Sequence, residues 1–197
     1  LPICGCVPEA TVVGPLDITP LTALEAPAKT PATGAMPSSY QGPNKFNPAM
    51  TAQVPADACS LNVGGVSDKP GLREVVLHVD NPTDQRLSFM LTTTATTILE
   101  VGGVKVAERR FDTGWGSLLT LGHARADAGT VRVVVRVADK QDAGAIQLVA
   151  LDQAGMPLVV RAPKPGEEAT VKATAGTPIV FGKTASSDAS LASNAAA

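Results

Sequence analysis

The stretch Thr130-Val131-Arg132-Val133-Val134-Val135-Arg136-Val137 decides the fold class. Val131, Val133, Val135 and Val137 share one face, while Arg132 and Arg136 take the other with Val134 between them. That period of two is the period of a β-strand, whose successive side chains point to opposite sides. β-branched valine is stiff at χ1 and packs well on a pleated surface, which strengthens the reading. Downstream, Asp139–Gly144 reads as a turn and Ala145–Leu151 as the next strand, closed by Asp152-Gln153-Ala154-Gly155.

Upstream the same pattern recurs. Leu72–Val79 reads as a strand with His78 near its end, Asn81–Gln85 as a turn by composition, and Leu87–Thr97 as a strand with a threonine-rich extension. A Gly102-Gly103 break precedes a short strand at Val104–Ala107, and Phe111–Leu121 holds Trp115. Leu158–Arg161, Ala169–Ala173 and Ile179–Phe181 are further strand candidates between Pro and Gly breaks. Short strands without intervening helical patterns predict an all-β fold, a single β-sandwich of jelly-roll or Ig-like type over residues 56–182.

Residues 1–55 differ. They hold ten of the sixteen prolines and five charged residues, Glu9, Asp17, Glu25, Lys29 and Lys45. Proline has no N–H to donate and disfavours helix in the residue before it, so the spacing predicts a long extended arm without normal helices or ladder strands. Scattered apolar side chains (Ile3, Val12, Val13, Leu16, Ile18, Leu21, Leu24, Met36, Phe46) would let such an arm dock on a neighbour, the alternative from composition being a flexible spacer. Residues 183–197 are small and polar and read as a loosely held tail.

Composition bounds the function. Aromatic residues are 3%, the formal net charge is −2 and the sequence pI is about 5.7. Without clustered Lys and Arg, direct nucleic-acid binding is not expected. No apolar run approaches the length of a membrane span. The chain opens on Leu1, the end that a removed signal peptide, a polyprotein cleavage or a maturation protease would leave.

No catalytic motif stands out, and no catalytic, cofactor-binding or metal-binding residues are assigned. Cys4-x-Cys6 with only His78 and His123 elsewhere is a poor zinc set. The three cysteines read as free thiols. Open alternatives are a disulfide from Cys59 to Cys4 or Cys6 in an oxidising compartment, and an acylated Cys6. His78 reads as a core or interface histidine, and His123, after Gly122, as an exposed loop histidine. Arg109-Arg110 reads as a solvated strand edge or subunit contact, Trp115 as a core anchor with an interface hot spot as the alternative, and Glu167-Glu168 as a turn with no partner implied.

Two resemblances add to this. Residues 74–97, with Val79-Asp-Asn-Pro-Thr-Asp-Gln-Arg-Leu-Ser-Phe89 and then Thr92-Thr-Thr-Ala95, resemble the strand-turn-strand of immunoglobulin-like domains of the major sperm protein type. Residues 129–179, with Gly129-Thr-Val-Arg-Val-Val-Val-Arg-Val137 and Ala143-Gly-Ala-Ile-Gln-Leu-Val-Ala-Leu151, are similar to the central strands of picorna-like virus capsid jelly rolls. The second resemblance implies a non-enzymatic structural subunit of a virion, capsid or capsid-stabilising. Such a subunit would contact other copies and neighbouring subunits through arm 1–55. The alternative expectation is a secreted or cell-envelope Ig-like module, of lipoprotein type if Cys6 is acylated.

Overall fold

The computed structural model describes residues 6–67, 69–109, 118–139 and 145–176. Its centre is the pair β5 (Gly71–Asn81) and β10 (Gly129–Asp139), antiparallel along their full length, with Val131 opposite Val79 and Val135 opposite Val75. β1 (Glu9–Gly14) and β3 (Met50–Asp57) extend the sheet on one side, β7 (Thr96–Val101) and β8 (Val104–Arg109) on the other. The order of this first sheet is β3-β1-β5-β10-β7-β8. β12 (Val160–Arg161) continues along the β5 edge where β1 stops, pairing with Val79 and His78.

The second sheet runs β14 (Ala173–Ala175), β9 (Leu118–Ala126), β6 (Gln85–Thr93), β11 (Ala145–Leu151), β4 (Ser60–Asn62). β3 belongs to both sheets, because it pairs with β1 and, at Ala56 and Asp57, with β4. At the opposite side β8 lies against β9 and β14. A Cβ on Gly122 would stand 2.9 Å from Val106 Cγ2 and 3.2 Å from Val106 O, so any larger residue would force β8 or its valine to shift. The sandwich thereby curls toward a barrel. β2 (Gly34–Ala35) and β13 (Glu168–Ala169) form a small separate ladder.

The inward faces make the main core. Val131, Val133, Val135 and Val137 meet Val75, Leu77 and Val79 of β5, with Leu87, Phe89, Leu91, Ile146 and Leu148 from the second sheet. The all-β sandwich expected from the alternation is the observed fold. The threonine-rich stretch is a corner, not one strand: Ala95 N–H bonds Thr93 Oγ1, and the chain passes from β6 in one sheet to β7 in the other.

The N-terminal segment corrects the expected organisation. The boundary placed at residues 55/56 falls inside β3, and residues 9–14 form a strand inserted between β3 and β5. Six residues free of proline separate Pro8 from Pro15, and six suffice for a strand. Residues 15–49 then fold over the outer face of the first sheet. Leu16 exchanges backbone bonds with this sheet (Leu16 N–H to Leu72 O, 2.8 Å), and Asp17 O accepts from Leu72 N–H at 2.9 Å. A Cβ on Gly71 would lie 2.5 Å from Pro15 Cβ, so this crossing also depends on a glycine. Leu16, Leu24, Met36 and Tyr40 pack on Val13, Leu72, Val76 and Ile98 as a second, smaller core.

Trp115, the strand expected at 179–181 and the tail 183–197 lie outside the described residues, as do most of the turn 139–144 and Arg110.

Candidate functional site

An arginine that alternates with inward valines belongs on a solvent face. Here that face is covered, and Arg132 and Arg136 are almost fully buried, with 1% and 2% exposure. A buried guanidinium is costly unless its donors are satisfied. The partners are backbone carbonyls of the proline-rich segment that lies over this face. Arg132 Nη1 and Nη2 donate to Pro31 O (2.6 Å) and Gly34 O (2.7 Å). Arg136 donates to Leu24 O, Ala26 O and, at 2.5 Å, Glu100 Oε1.

Glu74 works with the opposite polarity. Its carboxylate, wholly buried, accepts from Lys29 N–H (2.5 Å), Thr30 N–H (2.9 Å) and Thr30 Oγ1 (2.7 Å). Thr30 Oγ1 also lies 2.9 Å from Tyr40 OH. Arginine side chains thus satisfy the segment's acceptors and glutamate satisfies its donors. The sheet's side chains supply the hydrogen bonds that proline denies the backbone.

His78, on the same face of β5, is fully buried. Arg132 Nε donates to His78 Nε2 at 3.3 Å, and an arginine N–H can only donate. The network therefore assigns the imidazole proton to Nδ1, which faces Glu167 Oε2 at 3.2 Å. Burial, and then the Arg132 charge, push the His78 pKa down, with Glu167 acting against them. Glu167 is gripped by Arg161 through two bonds of 2.7 and 2.6 Å, and this holds its carboxyl down at about 2. Arg161 also bonds both oxygens of Asp80 at 3.0 and 2.9 Å. A continuous chain results: Asp80, Arg161, Glu167, His78, Arg132, and from there the carbonyls of residues 31 and 34.

Several residues singled out in the sequence sit differently from expectation. Glu167 is no idle turn residue, since it joins Arg161 to His78. His123 lies within β9, not in a loop, half-buried with Nδ1 3.1 Å from Ser88 Oγ; burial, then nearby Arg86, lowers its pKa. Arg109 ends β8. Cys6 and Cys59 are joined as a disulfide with Cα atoms 5.2 Å apart, in place of the free thiols expected, and a bonded Cys6 is not an acylated one. Cys59 and its neighbour Ala58 have left-handed φ values of 71° and 45°, which brings the β3–β4 turn to the segment before β1. The ionic layer itself was missed. Its one sequence signal was the paired arginines on an otherwise valine-rich strand.

The layer behaves as a fastener. Its carboxylates and the terminal guanidinium nitrogens of Arg132 and Arg136 are engaged in holding chain to chain, while Arg136 Nε is buried without a hydrogen-bond partner; His78 has no open approach. A groove of about 460 Å³ lies between the covering segment and the sheet, walled by Leu16, Ala23, Pro27, Lys29, Tyr40 and Leu72. Among the described residues no three His, Cys, Asp or Glu side chains gather to hold a metal ion, and no helix is long and apolar enough to cross a membrane. No protein-family model, no curated protein and no solved structure matches this chain.

Proposed function

We propose that the chain is a structural, non-enzymatic subunit of an exported or surface assembly, contacting other copies of itself through the outside of its N-terminal layer. One observation carries this reading. Ile18, Leu21 and Phe46 of the covering segment and Met50 at the start of β3 are 53%, 46%, 75% and 52% exposed, although the same segment buries Leu16 and Leu24 and packs Met36 against them. These are four of the eight large apolar side chains exposed among the described residues, and their concentration within residues 18–50 favours a contact surface over a ligand site.

The Cys6–Cys59 link favours an oxidising setting, such as the secreted space, a cell envelope or the outside of a particle. Of the two expectations, the secreted or envelope module is the better supported. The capsid reading drew on an extended arm, residues 1–55, reaching across to neighbouring subunits, and residues 9–14 and 50–57 are occupied in the chain's own sheet. Its remaining support is the jelly-roll resemblance of residues 129–179.

The test is light scattering of the full chain after size exclusion, over a range of concentrations. The wild type should form oligomers, and the variant I18S/L21S/F46S/M50S should stay monomeric. A wild type that is monomeric throughout, or a variant that assembles equally, overturns the reading. Free thiols at Cys6 and Cys59 in protein from its native source would overturn the compartment.

A further inference from the structure

We propose that His78 is an acid-sensitive latch: its unprotonated Nε2 holds Arg132 in place to fasten residues 31–34, and its protonation releases them from the β5–β10 face. The geometry leaves an imidazolium no comfortable position. His78 sits between Arg132 of β10, whose Nε–H points at Nε2, and Arg161 of β12, its Cα partner across the ladder. A proton on Nε2 would set two donors head to head at 3.3 Å and place a third cation between two existing ones.

The one carboxylate in contact, Glu167, already accepts two bonds from Arg161 and one from Lys164 N–H at 2.9 Å. Asp80 is likewise engaged with Arg161, and Glu74, on the same face of β5, with Lys29 and Thr30. From the covering segment the titratable groups closest in the network are Tyr40 and Lys29. Tyr40, whose pKa burial pushes up, stays neutral across the range concerned. The strain is relieved when the Arg132 side chain swings out.

That movement has a defined consequence. Arg132 gives up Pro31 O and Gly34 O, and the β2–β13 ladder at Gly34 and Ala35 loses its anchor. The open pocket of about 190 Å³ beside Arg132, walled by Pro27, Thr30, Pro31 and Val134, widens, and water reaches the carbonyls that Arg132 has left. The inward core contains no partner of His78 and is unaffected.

Amide hydrogen exchange on the full chain at pH 7.5 and pH 5, corrected for intrinsic rates, tests this. Protection of peptides within residues 24–36 should fall several-fold at pH 5, while peptides in 85–93 keep theirs. H78Q should hold the protection at both pH values, because a carboxamide can accept from Arg132 and donate to Glu167. H78K should lack it at both. Unchanged protection of 24–36 in the wild type overturns the latch, as does an equal loss in H78Q. Should H78Q fail to fold, the wild type decides, since loss spread equally over 85–93 is global unfolding and refutes a local release.

Discussion

Arg136 and Glu74 face each other directly across the β10–β5 ladder, and neither pairs with the other. Arg136 turns to Glu100 and to the carbonyls of Leu24 and Ala26, while Glu74 turns to the amides of Lys29 and Thr30. Two opposite charges side by side thus hold successive stretches of one chain segment. A carboxylate in this position does more than balance charge, because it is the sole side-chain acceptor for those two amides.

E74Q should therefore destabilise the protein by about 2–4 kcal/mol, since an amide keeps one acceptor oxygen and turns a donor toward donors. Urea unfolding of E74Q against the wild type measures it. A change below about 0.5 kcal/mol, the ordinary range for surface substitutions, would show that the clamp contributes little.

The sandwich was legible in the sequence because a period of two specifies two faces. It does not specify what lies on each. Arg132 and Arg136 read as solvent-facing because polar residues alternating with valine normally are, and the cover comes from a segment about a hundred residues earlier. β1 escaped notice for another reason: proline spacing described residues 1–55 on average, while Glu9–Gly14 is a local gap. The Cys6–Cys59 pair was one of several open readings, because spacing alone does not choose among three cysteines. His78, read as a core or interface histidine, is indeed buried, but on the outer face beneath the covering segment, and its partners Arg132 and Glu167 lie 54 and 89 residues away.

Reduction of Cys6–Cys59, or C59S, should cost about 4 kcal/mol on the loop-entropy account, for cysteines 53 residues apart. Thermal melts with and without reductant would show this as a lowered Tm. Intact mass after alkylation should gain two blocked thiols among these residues only once the reductant is present.

Stability should fall with acid in two windows. His78 has a lowered folded pKa, so stability is full at pH above its ordinary 6.5 and is lost as pH falls below that value. Glu167 is held at about 2, so its contribution is present above 4.5 and lost as pH falls from 4.5 toward 2. Urea midpoints from pH 8 to 2 should show both slopes. E167Q should remove the lower one, worth on the order of 2 kcal/mol after allowance for partial exposure.

Phe89 is wholly buried between the sheets and Leu121 is 44% exposed on the outside of the second. F89A should cost about 3–5 kcal/mol as a cavity in the main core. L121S should stay within about 0.5 kcal/mol. Chemical denaturation of both variants checks the assignment of inside and outside on β6 and β9, and comparable losses would contradict it.

The place of β1 between β3 and β5 changes what removing the N-terminus means. Shortening the chain beyond residue 14 does not trim an appendage. It uncovers facing edges of β3 and β5, each with a row of unpaired N–H and C=O groups around Val54 and Val75. Such edges recruit strands from other molecules. A truncated product is therefore expected in aggregates, and the first strand of the chain acts as the seal that keeps the sheet closed to foreign partners.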